Sequence, residues 1–186
     1  MLRPALAGLA AALVLAAALV LASLLLAARP VRAGGTTARG ERHRHRAAAI
    51  LGGLNRIRRA HGLLPLGPSD ELSQAAAQHT EEMAARGFFA HDSADHSAFW
   101  LRIRRWYPAA GWRFWSVGEN LLWRSPDVDA AAAVRMWMQS PEHRANILSP
   151  LWRQVGISAG HFAAAPGAYG QHAVTIVTAD FGVRRG

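Results

Sequence analysis

The spacing of apolar residues changes character several times along the chain, and each change predicts an element. The first stretch has no period at all. Ala5–Ala28 is 24 consecutive uncharged positions, chiefly Ala and Leu, bracketed by Arg3 and Arg29. As a helix rising ~1.5 Å per residue it would span roughly 36 Å, enough for a bilayer core. Val31-Arg32-Ala33 also offers a small-x-small cleavage site. Residues 1–33 therefore read as a signal peptide or an N-terminal membrane anchor, with the length favouring the anchor.

Periodic patterns follow. Ile50, Leu54 and Ile57 predict a helix over 46–61 with Arg56, Arg58 and Arg59 on other faces. "HGLLPLGPSD" breaks it, and Ser69 or Asp70 is placed to cap the next helix. That helix carries Leu72, Ala76, His79 and Met83 on one stripe and stops at Gly87. Phe99, Ile103 and Trp106 predict a short helix over 97–106, and Val117–Trp123 reads as extended. Ser125-Pro126 and Ser140-Pro141 each look like a capped helix start, the second opening "EHRANIL". Val155 and Ile157, then Val174 and Ile176, alternate as two or three strands. Helices early and strands late predict an α+β fold with a mainly antiparallel sheet.

Charge changes the reading at one end. Residues 1–46 hold seven Arg and one Glu, a net +6 of the chain's +9. "RPVRAGGTTARGERHRHR" is polar and Gly-rich, so 34–46 is expected to be a basic flexible spacer able to rest against anionic lipid heads. The high pI then says little about the domain, and no nucleic acid partner is expected. Cysteine is absent, which excludes disulfides and thiolate chemistry.

Candidate chemistry is a scatter of His and carboxylates rather than a Gly-rich phosphate loop, a nucleophile elbow or an H-E-x-x-H motif. His91 precedes Asp92 and reads either as a surface loop residue or as a metal ligand or base with an acid beside it. His143 follows the Ser140 cap by three, where a helix dipole favours a neutral imidazole; that suits metal binding or base work, or a local turn bond. His79 lies on an apolar stripe as a core or cleft-lining residue. Trp100, Trp106, Trp112 and Trp115 interleave with Arg102, Arg104, Arg105 and Arg113, either as a stacking or membrane-interface surface or as core aromatics with arginines reaching outward. Glu119 is the puzzle. "SVGENLLW" surrounds a charge with apolar side chains, costly by several kcal/mol in rough terms unless something pairs with it.

Taken in order, "ILGGLNRIRRAHGLLPL", "ELSQAAAQHTEEMAARGFFAHDS", "VGENLLW", "AVRMWMQSPEHRANILSPLWRQVGIS" and "TADFG" resemble the CAP superfamily of cysteine-rich secretory, antigen 5 and pathogenesis-related class 1 proteins, in its compact bacterial form. The resemblance covers roughly 47–183 and leaves 184–186 as a tail. It implies an α-β-α sandwich around the sheet and a cleft lined by two His and two acids. Position by position, His91 and His143 match the histidines and Glu119 the glutamate of G-E-N. Ser140 stands where many eukaryotic members have the second acid, and Glu142 is only its neighbour. The set His91, Glu119 and His143 would suit Zn²⁺, with Asn120, Ser140 and His79 supporting the cleft. The resemblance implies an exported domain, secreted or membrane-anchored, that binds a small or lipid-like ligand. A Glu- or His-dependent hydrolase, and an adhesive module for anionic envelope polymers, are the alternatives.

Overall fold

The computed structural model describes residues 34–186, of which 38–186 form one compact unit. The expected leader, 1–33, lies outside the described residues. Among those described, no helix is long and apolar enough to cross a membrane. The elements are α1 (Gly34–Ala60), β1 (Gly67–Pro68), α2 (Asp70–Arg86), α3 (Phe99–Trp106), β2 (Phe114–Arg124), α4 (Ala130–Gln139), α5 (Pro141–Ile147), β3 (Gln154–Ala165), a 3-10 turn at Gly167–Tyr169, and β4 (His172–Arg185).

The sheet order is β1-β3-β4-β2. β4 pairs antiparallel with both β3 and β2, while the short β1 runs parallel to β3, so the sheet is mixed. Strand alternation sends successive side chains to opposite faces. Val177, Ala179, Phe181 and Val183 of β4 join Ile50 and Leu54 of α1, Val134 and Trp137 of α4 and Ile147 of α5 in one core. Val174 and Ile176 face the other way and join Met83 and Ala84 of α2. Leu72 and Ala75 of α2 close on Ile103 and Tyr107 around α3. Helices thus cover both faces, as the α-β-α expectation required.

Local chemistry sets most boundaries. Ser69 caps α2 by accepting from the Leu72 N–H at 3.3 Å, and Gly87 ends that helix. Ser125-Pro126 does not start a helix. Asp129 caps α4 instead, its carboxylate accepting from the Ala132 N–H at 2.7 Å. Ser140 precedes α5 with Pro141 in the first turn, but its side chain makes no cap bond.

Two expectations fail for the same reason, a buried partner that no local pattern shows. Arg58 is fully buried and donates to the carbonyls of Leu64, Ile147 and Ser149 at 2.9, 2.7 and 2.9 Å. The residues expected to form a flexible spacer, 34–46, are the first turns of α1. Arg46 holds them down, donating to Thr175 Oγ1 at 3.1 Å and to Asp127 Oδ2 at 3.0 Å.

Candidate functional site

The G-E-N stretch lies on β2, and alternation splits it between the two layers. Gly118 faces α5. A Cβ there would stand 2.8 Å from Trp152 Cζ2 and 2.9 Å from Asn146 Oδ1, so the close approach needs glycine. Asn120 faces the same layer. Its Nδ2 donates to the His143 carbonyl at 3.1 Å, and its Oδ1 accepts from Asn146 Nδ2 at 3.0 Å. Asn146 Nδ2 also donates to the Glu119 carbonyl at 3.2 Å. These bonds pin α5, and with it His143, against β2.

Glu119 points the other way, toward α2 and α3. Its carboxylate accepts from His91 Nδ1 at 2.8 Å and forms a buried ion pair with Arg102 of α3. Arg102 is 1 % exposed and also donates to the His91 carbonyl at 3.2 Å, so it binds both the carboxylate and the loop that carries the histidine. His79 supports that loop from behind. It is fully buried, and its ring Nε2 donates to the Ala90 carbonyl at 2.8 Å. Burial, reinforced by the charge of Arg102, drives the His79 pKa down to about 3, so the ring is neutral.

Asp180 of β4 is the direct register partner of Glu119. It is wholly buried, and neither carboxyl oxygen meets a donor among the described residues. Burial first, then the neighbouring Glu119 charge, raises its pKa well above the usual carboxylate range. Burial also pushes Glu119 up to about 7, with Arg102 pulling back. Two adjacent carboxyls in a dry site cannot both ionise. Glu119 has the cation and the imidazole, so it carries the charge. Asp180 keeps the proton and can offer it to Glu119.

An ionised Glu119 accepts only, so His91 Nδ1 bears the proton and Nε2 keeps a free lone pair. The His91 side chain is 53 % exposed, so that lone pair is open to solvent. Burial and then Arg102 lower the His91 pKa, which keeps the ring neutral. His143 is lowered too, by burial first and then because a second proton beside His91 would be repelled. The two imidazoles are close enough to interact, whereas the Glu119 carboxylate is taken up by His91 and Arg102. Among the described residues no three His, Asp or Glu side chains are grouped to hold a metal ion. Ser140, at the position of the absent second acid, makes only backbone bonds, to Trp137 and Arg144.

Sequence reasoning missed Arg102 and Asp180. Arg102 was expected to reach outward with its neighbours. The signal was there: Arg102 falls at i+3 from Phe99 and beside Ile103, on the inner stripe, whereas Trp106, expected on that stripe, is 41% exposed. For Asp180 the signal is the lone acid of β4, set between Ala179 and Phe181.

The chain belongs to the cysteine-rich secretory protein (CAP) family, whose model matches residues 51–179. It does so without a cysteine. It is 30% identical over 108 residues to the uncharacterized membrane protein YlbC of Bacillus subtilis (strain 168), covering 58% of this chain and 30% of that one. It is 28% identical over 105 residues to YkwD of the same organism, covering 55% and 38%. The chain thus spans about a third of the length of these curated relatives. The fold is shared with an extracellular Bacillus anthracis protein containing an SCP domain, at TM-score 0.59 and 24% identity over 77% of this chain and 41% of that one. It is also shared with an outer surface protein of Borrelia burgdorferi, at TM-score 0.56 and 15% identity over 73% and 90%.

Proposed function

We propose that this CAP domain works outside the cytoplasm as a ligand-binding module, with His91 and His143 as the groups that meet the ligand. One observation carries the reading: His91 is anchored through Nδ1 by a buried, Arg102-paired Glu119 while its Nε2 remains open. A carboxylate behind an imidazole fixes the tautomer and the ring orientation, as in metal sites and base catalysts. Glu119 then acts behind His91 rather than as a donor to the ligand. If Zn²⁺ is the ligand, His91 and His143 would hold it and solvent would complete the shell. If a lipid-like molecule is the ligand, the imidazoles would meet its polar end. Export is supported by the apolar run at 5–28 and by the similar bacterial proteins, one extracellular and one on the outer surface.

The test is a Zn²⁺ titration by calorimetry on the chain and on His91→Ala and His143→Ala. One-to-one binding lost in both variants supports a shared site. Binding unaffected by either substitution removes the metal and moves the search to lipid ligands. The same His91–Glu119 pair favours a second reading, hydrolysis with His91 as base. Ester cleavage that survives Glu119→Gln would end that reading.

A further inference from the structure

A second cluster of ionisable side chains shares no residue with the His91 site. Arg39, Arg42, His43 and Arg46 recur at i, i+3, i+4 and i+7 on α1, and so form one stripe. With Asp127, His161 and Ala163 they line a cavity of about 290 Å³ between α1 and β3. A polar stripe of this kind normally faces bulk water. Here it runs beside the wall of the domain, with His43 and Arg46 half-buried against it and Arg39 and Arg42 exposed.

The floor of the cavity is fixed by a network on the fully buried Thr175. Its hydroxyl donates to Asp127, while Oγ1 accepts from Arg46 and from His161 Nδ1, both at 3.1 Å. Asp127 Oδ2 takes Arg46 at 3.0 Å, and Oδ1 also accepts from the Val128 N–H at 2.8 Å. Burial alone would raise the Asp127 pKa, but these bonds and the Arg46 charge hold it below its usual range, so it stays ionised and Arg46 is fully matched. His43 Nε2 accepts from the His161 backbone N–H at 3.4 Å, which leaves its ring proton on Nδ1 as an unused donor.

Arg39 and Arg42 remain. Arg39 lies over the Phe162 ring, 5.3 Å from its centroid, and among the described residues neither guanidinium has a carboxylate within 4 Å. Glu41 and Asp129 line the neighbouring cavity, which Arg42 and Arg46 also border. The potential on the β3 side is positive. The His43 pKa is depressed by burial and then by Arg39, Arg46 and Arg42. Two unmatched guanidiniums, a preorganised wall and a free imidazole donor describe a socket for a compact oxyanion that takes forked hydrogen bonds.

We propose that this cavity is an anion site for a phosphate group, held by the Arg39 and Arg42 guanidiniums with His43 as a further donor. The phosphate could be free or part of a lipid headgroup.

The experiment uses the full chain in neutral detergent, titrated by calorimetry with inorganic phosphate and, separately, with phosphatidylglycerol dispersed in the same detergent. Two double variants of equal charge are compared. Arg39→Gln/Arg42→Gln removes the socket, and Arg56→Gln/Arg59→Gln removes two exposed arginines of the same helix outside it. All four are exposed, so the fold is retained, and circular dichroism checks this. The expected result is saturable one-to-one binding that weakens about tenfold or more in the first variant and is unchanged in the second. Binding of both probes makes the ligand a free phosphate group, and binding of the lipid alone makes it a headgroup. No binding of either probe, or equal weakening in both variants, overturns the site.

Discussion

Arg102 shows how one side chain decides whether another can exist where it does. Glu119 is buried under β2 and is tolerable only because a guanidinium meets it. Arg102→Met would leave an uncompensated charge and cost roughly 3–5 kcal/mol by urea unfolding. Adding Glu119→Gln should recover much of that loss. A double variant no more stable than Arg102→Met alone would show that the pair does not act as a unit. Asp180 makes the complementary statement about pH. A carboxyl that holds its proton more tightly when folded adds nothing below the ordinary value of 3.8 and destabilises increasingly as pH rises above it. Asp180→Asn should therefore leave melting near pH 4 unchanged and raise Tm at pH 8 by about 3 °C or more. Identical pH–Tm curves for the two proteins would rule out the shared proton. The buried neutral His79 has the opposite sign: it costs stability as pH falls below 6.5 toward 3.

Among elements, α2 and α1 are held in different ways. α2 lies directly on β3, where a Cβ at Gly156 would stand 2.0 Å from the Leu72 carbonyl carbon and the Ser73 nitrogen. Backbone cannot yield as a flexible side chain can. Gly156→Ala is expected to cost about 3 kcal/mol or more in denaturant unfolding, and a near-neutral result would mean that α2 sits further off the sheet. The first half of α1 buries little apolar surface and depends on the Arg46–Asp127–Thr175 network instead. Thr175→Val keeps the shape and removes the hydroxyl. Amide exchange should then speed up about tenfold or more over residues 38–46 while 50–60 stay protected by Ile50 and Leu54. Uniform protection along the helix in that variant would contradict this division.

For the unit 38–186 as a whole, the controlling feature is that β4 belongs to both cores at once. Its odd positions from 177 to 183 serve the α1/α4/α5 layer, while Val174 and Ile176 serve α2. Neither layer can melt while the other keeps its sheet. Urea transitions followed by far-UV circular dichroism and by Trp fluorescence are expected to coincide, and separated midpoints would show independent layers. The same sharing builds the site. His91 reaches Glu119 from the α2–α3 side, His143 is held by Asn120 from the α5 side, and consecutive residues of one strand serve both.

How much could be read in advance follows from how far each cause acts along the chain. Most helix and strand positions, the Ser69 cap, the stop at Gly87 and the oddity of a carboxylate at Glu119 were legible, because periodicity, capping and motif order act over a few residues. The helical state of 34–46, the inward turn of Arg102 and Arg58, and the proton held by Asp180 were not. Each depends on a partner that only folding brings near: Asp127 and Thr175 for Arg46, Glu119 for Arg102, the Ile147 and Ser149 carbonyls for Arg58, and a neighbouring strand for Asp180. The sequence by itself determined most of the elements, the α+β class and the family. Only the tertiary structure decided which charges are buried and with whom, because desolvation and pairing depend on distance in space rather than on distance along the chain.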